Sequence, residues 1–302
     1  MRVLLAGATG AIGRPLTRAL IANGHEVLAV ARRAETAQAA TALGAEVVRA
    51  DAMDRDGLLR ALDGLRADAV IHELTALTAP KRTLDENDPS TLLRTRGTAN
   101  LLAAAEILGA GRFLTQSMAL GYGYTDHGDR VRDESDPFAV RNGNVADFVI
   151  DGLRSTEEQA FAAGHVDGIA LRYGLFYGPG TWFDATPGSR PTPVPWNGGG
   201  LVPWIHVADA AAATVAALER GSGGQAYNIV DDRPARWGEV AAAARGGRAV
   251  RLPGRALRLM VPYFGPLMVD TVLRVSNTRA RRELGWTPGY PSYREGLAAA
   301  RP

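Results

Sequence analysis

The residues best equipped for chemistry are a glycine-rich turn and a cluster of hydroxyls. Gly7-Ala8-Thr9-Gly10-Ala11-Ile12-Gly13 directly follows the apolar run Val3–Ala6 and precedes an amphipathic stretch. Glycines permit a tight strand-to-helix turn. The helix start then offers free N–H groups and a positive dipole end to a diphosphate. This pattern predicts dinucleotide binding through Gly7, Thr9, Gly10, Ala11, Ile12 and Gly13. After the second apolar run comes Ala31-Arg32-Arg33. An acidic residue there would bind the ribose 2′-hydroxyl of NAD, whereas guanidinium forks suit a 2′-phosphate. The expected cofactor is therefore NADP(H) rather than NAD(H). Asp51, followed by Ala52, is placed to accept from the adenine amino group or to cap a helix over 57–62. The hydroxyls are Ser117, at the end of the fifth apolar run, with Tyr122 and Tyr124 close behind it.

The rest of the composition narrows the chemistry. Among the 302 residues there is a single lysine, Lys81, and every other basic side chain except the histidines is arginine. Schiff-base chemistry, a Walker-type phosphate lysine and a Tyr-x-x-x-Lys pair would all need Lys81, which has Leu77 rather than a tyrosine four residues before it. Cys is 0, so thiolate nucleophiles, disulfides and cysteine-ligated metals are excluded. The histidines are isolated and show no ligand spacing, so no metal is expected. His206 reads as a structural hydrogen-bonder, with Asp209 capping the helix that follows. Net charge is only +2, without a basic block, which disfavours nucleic acid. The first residues carry too short an apolar run for a signal peptide, and no run of about 18 apolar residues predicts a membrane span. A cytoplasmic protein is the expectation.

The elements needed to position these residues are legible. Strands are predicted at Val3–Ala6, Val27–Ala31, Val47–Arg49, Ala69–His72, Phe113–Gln116 and Gly168–Tyr173. Helices are predicted at Ile12–Ala22, Thr36–Leu43, Gly57–Leu62, Ser90–Leu108 and Val145–Ala162, with Ser90 as an N-cap. Apolar strands alternating with helices indicate an α/β fold, a Rossmann doubly wound parallel sheet covered on both faces. Residues 178–203 read as a long Gly/Pro-rich loop. The expected division is a cofactor domain over 1–177, rejoined by 204–232, and a small substrate-binding lobe from 178–203 and 233–302. Trp182, Phe183, Trp196 and Trp204 flank the loop and could form an apolar lid over an apolar or aromatic small molecule.

With these residues the chain resembles the extended short-chain dehydrogenase/reductase superfamily, in its NAD(P)-dependent epimerase/dehydratase group. The likeness is carried by Gly7–Gly13, Asp51-Ala52-Met53, Gly97-Thr98-Ala99-Asn100-Leu101-Leu102, Gln116-Ser117, Arg172-Tyr173-Gly174-Leu175-Phe176-Tyr177-Gly178-Pro179-Gly180, Trp204–Asp209, Tyr227-Asn228-Ile229 and Leu284–Pro288. It covers nearly the whole chain. It implies cofactor contacts extending to Leu74, Thr75, Gln116 and Tyr173, and a dimer through the helices predicted at Ser90–Leu108 and Val145–Ala162. The family's chemistry uses a Ser or Thr after the fifth strand, which Ser117 matches, and a Tyr-x-x-x-Lys on the next helix. That helix here has neither residue, with Phe148 or Ile150 at the tyrosine site and Arg154 as the nearest cation.

A tyrosine without its lysine keeps a pKa of about 10, usable as an acid but not as a base at neutral pH. Reduction is therefore favoured over oxidation-first epimerisation. Three readings follow. In the first, an NADP(H)-dependent reductase of a carbonyl or conjugated molecule uses Ser117 to polarise the oxygen and Tyr122 or Tyr124 to deliver the proton. In the second, an isomerase, cyclase or epimerase uses the same pocket without net redox. In the third, the chain is an NADP-sensing regulator without turnover.

Overall fold

The computed structural model describes residues 1–76, 85, 87–141, 143, 146–185, 192–244, 249–262 and 264–299. Lys81 lies outside the described residues. The centre is a seven-stranded sheet in which every neighbouring pair is parallel. From one edge its strands are Gln225–Ile229, Asp167–Tyr173, β5 (Arg112–Met118), β4 (Ala69–His72), β1 (Arg2–Ala6), β2 (Glu26–Ala31) and β3 (Glu46–Arg49). The order reverses between β1 and β4, the switch point at which ligands bind above strand ends in such sheets. Val3 and Leu5 point to one face and Leu4 and Ala6 to the other, and all four are buried because helices cover both sides.

Helices α1 (Gly13–Ala22), α2 (Ala34–Ala42) and α3 (Arg55–Leu62) connect the first strands. Asp54 is the N-cap of α3, accepting from Gly57 N at 3.1 Å. Asp51 does not cap α3; its Oδ1 accepts instead from Met53 N at 2.9 Å. The stretch expected as one helix from Ser90 is broken. An α-turn at Pro89–Leu92 leads into a π-helical turn at Leu93–Gly97 and then the helix Thr98–Leu108. Its N-cap is Asp88, whose carboxylate accepts from Ser90 N, with Pro89 at the first helical position, where its missing N–H is harmless.

The lobe is less separate than its sequence limits imply. Its four-stranded sheet joins Ala235–Arg236, Leu201–Val202 and Val272–Val275 to Asp126–Arg132, a strand from within the first 177 residues. In return, Ala280 and Leu284 of helix Thr278–Leu284 sit in the core of the cofactor domain. Asp209 is not a helix cap but a tie between the two, its carboxylate accepting from Gly289 N and Tyr290 N at 2.9 Å each. No helix among the described residues is long and apolar enough to cross a membrane.

Candidate active site

The carboxyl ends of β1, β4, β5 and Asp167–Tyr173 open onto one cavity of ≈ 520 Å³, within the size range of small-molecule sites. Gly10, Ala11 and Ile12 line it from the glycine turn, and Glu73 and Thr75 from beyond β4. Gln116, Ser117, Leu120 and Tyr124 follow, then Tyr173 and Phe176. The lobe closes it with Trp182, Phe183, Trp237, Phe264 and Leu267.

The glycine turn is built for close approach. Gly7 has φ 106°, and a Cβ there would stand 2.7 Å from the Glu73 carbonyl oxygen. A Cβ on Gly13 would fall 1.9 Å from the Gly7 carbonyl oxygen, so α1 starts against the end of its strand. The first turn of α1 carries no acidic residue, leaving its N–H groups and dipole to an anion. The turn therefore fits a dinucleotide diphosphate. Thr9 does not line the large cavity. It faces an adjoining hollow of ≈ 390 Å³ that Arg14 and Arg18 also line.

The other cofactor candidates spread along the strand ends. Leu74 and Gln116 tie β4 to β5, the Gln116 amide donating to the Leu74 carbonyl at 2.7 Å. Arg32 and Arg33 are exposed beyond β2 and lie outside the cavity. Arg32 Nη1 stands 3.3 Å from Asp51 Oδ2. Ala52 is buried, and its carbonyl accepts from Asn100 at 2.8 Å.

Ser117 is fully buried in the cavity wall, and its Oγ has no hydrogen-bond partner. An unmade buried hydrogen bond costs about 1–3 kcal/mol, which a bound acceptor would remove. Tyr124 lines the same cavity. Tyr122, the other tyrosine expected as a proton donor, is not among the residues that line it. Its hydroxyl accepts from Arg172 Nη1 at 2.9 Å and shares its one proton between the Asp133 carbonyl (2.8 Å) and Asn228 Oδ1 (3.0 Å). Burial pushes its pKa up to about 12. Arg172 is itself clamped by Glu157, with Nε to Oε1 at 2.9 Å and Nη2 to Oε2 at 2.8 Å, and lies over the Phe138 ring at 4.3 Å. This buried network holds the segment that carries Ser117 and Tyr124.

Helix Asp147–Ala162, where the superfamily carries its tyrosine and lysine, contributes no described residue to the cavity wall. Ile150 is buried against the segment 118–124, and Phe148 is partly exposed beneath Arg141. Arg154 binds Asp151 at 2.8 Å and the Ala139 carbonyl at 2.5 Å. Asp126 and His127 of the strand Asp126–Arg132, and Glu134 after it, do not line the cavity either; Glu134 Oε1 accepts from Asn228 N at 2.8 Å.

Two of the four aromatic lid candidates reach the cavity, Trp182 and Phe183. Trp204 is a core residue behind them, fully buried, with Nε1 donating to the Ala235 carbonyl at 3.0 Å. Trp196 is turned to solvent, 64% exposed, and its Nε1 donates to the Arg251 carbonyl. His206 caps the helix Val207–Arg220 through Nδ1, which accepts from Ala208 N, and burial lowers its pKa to about 4. Among the described residues no group of His, Asp or Glu is arranged to hold a metal.

Sequence reasoning missed Glu73, Arg94, Trp237, Phe264 and Leu267, all in the cavity wall. Glu73 had a signal, an acid directly after an apolar strand. Arg94 lies in the π-helical turn, a feature often found at functional sites and invisible as a periodicity. The three lobe residues are brought in only by long-range packing.

A parallel sheet with a phosphate-cradling turn under a lobe-covered cavity defines a dinucleotide-dependent enzyme. Residues 3–230 match the model of the NAD dependent epimerase/dehydratase family, and the chain belongs to that family, within the extended short-chain dehydrogenase/reductase group. It is similar to a 3-diazoavenalumate denitrifying reductase from Streptomyces sp., 37% identical over 312 residues that cover 98% of this chain and 99% of that protein. A UDP-glucose 4-epimerase from Mycolicibacterium smegmatis is 29% identical over 99% of this chain and 96% of its own length. Among solved structures, the UDP-glucose 4-epimerase of Thermus thermophilus in complex with NAD superposes with a TM-score of 0.78 at 22% identity, covering 98% of this chain and 96% of that one. That last likeness establishes the fold. Family and relatives together make the chain an oxidoreductase of the NAD(P)-dependent kind.

Proposed function

We propose that the chain is an NADP(H)-dependent reductase of an apolar, aromatic or conjugated small molecule. The observation that carries this is the cavity wall. It is mostly apolar with seven aromatic side chains, it holds the unpartnered hydroxyl of Ser117, and helix Asp147–Ala162 adds no described residue to it. The dinucleotide, when bound, supplies a hydride from its nicotinamide ring. The Gly7–Gly13 turn holds its diphosphate, and Arg32 and Arg33 hold its 2′-phosphate. Trp182 and Phe183 exclude water above the acceptor. Ser117 donates to an acceptor oxygen as charge develops on it, and Tyr124 delivers the proton to the resulting alkoxide. Reduction suits this wall because the phenol is needed only as an acid.

A second acceptor class is favoured by the relative named for a diazo substrate and a denitrifying reduction. Hydride transfer to an arenediazonium replaces dinitrogen on the ring by hydrogen, oxidises the dinucleotide and draws no proton from the protein. A wall without a tyrosine–lysine pair is competent for that reaction as it stands.

The test is loss of reduced-nicotinamide absorbance with NADPH, offered a conjugated aldehyde and an arenediazonium, each against a protein-free blank. The reductase reading expects stoichiometric cofactor loss with one of them. Tyr124→Phe should slow aldehyde reduction and leave diazonium reduction intact. Product formed without cofactor loss would mean the isomerase reading. Cofactor binding with turnover of neither acceptor would favour the regulator.

A further inference from the structure

We propose that Glu73 is a cofactor contact, a neutral carboxyl whose Oε2 makes a hydrogen bond to a ribose hydroxyl in the nicotinamide half of the dinucleotide. The proposal rests on the dinucleotide reading above. Glu73 is 5% exposed in the cavity wall beside the glycine turn, and its Oε2 is buried with no partner.

The Tyr173 hydroxyl donates to Glu73 Oε1 at 2.9 Å and lies 2.6 Å from Thr214 Oγ1, and Thr214 Oγ1 donates to the Ala210 carbonyl oxygen at 2.8 Å. Oε1 is therefore already engaged, and Oε2 is the carboxyl atom left to a ligand. Burial pushes the Glu73 pKa up to about 8, toward the neutral form.

With Tyr173 donating to Oε1, the carboxyl proton is free on Oε2. A ribose hydroxyl, which both accepts and donates, matches it. The cavity also selects the half of the cofactor. Ser117, Tyr124 and Phe176 line it with Glu73, while Arg32, Arg33 and Asp51 at the adenine end do not. Neutrality matters at this place, because an ionised carboxyl would stand beside the diphosphate held at Gly10–Ile12.

The experiment is calorimetric binding of NADPH and of 2′,5′-ADP, which lacks the nicotinamide half, to the parent, Glu73→Leu and Glu73→Gln, with NADH and ADP in parallel. Glu73→Leu should weaken the dinucleotide about tenfold, the worth of one hydrogen bond, and leave the adenine fragment unchanged. Retained fragment binding also shows that the variant folds. Glu73→Gln, whose oxygen accepts from Tyr173 and whose amide donates toward the ribose, should hold the dinucleotide within about twofold of the parent. Equal weakening of both ligands by Glu73→Leu, or of neither, overturns the assignment alone. Glu73→Gln as weak as Glu73→Leu overturns the neutral form. A parent that binds neither dinucleotide overturns the cofactor reading and this one with it.

Discussion

Replacing Glu157 with leucine should destabilise the protein severely and disturb the site it supports. Arg172 is 8% exposed and Glu157 4%, and three N–H···O contacts at 2.8–3.3 Å join them. The substitution leaves the guanidinium buried with only the Tyr122 hydroxyl and two aromatic faces. Breaking a buried pair from one side costs about 3–5 kcal/mol. With 302 residues the unfolding entropy near the midpoint is about 0.6 kcal/mol per kelvin, so Tm should fall by roughly 5–8 °C. Scanning calorimetry reads this directly. Glu157→Leu combined with Arg172→Met removes both charges and should recover much of the loss, since apolar replacements of buried pairs are often neutral. A single variant within about 1 °C of the parent, or a double variant far below the single one, would refute the claim that this network holds the 117–124 segment.

Three further outcomes are expected. Ser117→Ala should lower reductase turnover of a carbonyl acceptor by about 100-fold while NADPH affinity stays within error, as measured by steady-state kinetics and calorimetry. Arg32→Ala with Arg33→Ala should weaken NADPH about 10–100-fold and leave NADH unchanged, because only the 2′-phosphate loses its charge-assisted bonds. Glu73 takes up its proton more readily when folded, so its stabilising contribution is complete below pH 4.5 and declines as pH rises through about 8. In urea unfolding, the stability difference between the parent and Glu73→Gln should therefore fall by about 3 kcal/mol between pH 5 and pH 8. A constant difference would show that the carboxyl is already ionised at pH 5.

Much of this architecture was legible because it rests on local rules. Buried parallel strands read as continuous apolar runs, and Gly7, Gly10 and Gly13 occur where a strand must turn into a helix. Ser117 could be placed because it ends a strand at the sheet's binding edge. What escaped depends on contacts distant in sequence. Tyr122 and Tyr124 look equivalent along the chain, yet Arg172, fifty residues on, pulls the first into the core and leaves the second at the cavity. Trp204 and Trp196 follow Phe183 within about twenty residues of sequence, but one fills the core behind it and the other faces solvent. The N-cap moved from Ser90 to Asp88 because Pro89 is best suited to the first helical position. The strand Asp126–Arg132 was hidden by its polarity, its side chains being mostly exposed on the lobe's outer edge.

The central claim is hydride transfer from a bound nicotinamide in a site without the tyrosine–lysine pair. Its most direct test is isotopic. The protein is incubated with NADPH deuterated at nicotinamide C4, each face in turn, and with the acceptor found active in the absorbance screen, and the product is weighed by mass spectrometry. One deuterium per product from one face only, in step with cofactor oxidised, is the predicted result. A product that carries no deuterium from either face would contradict it.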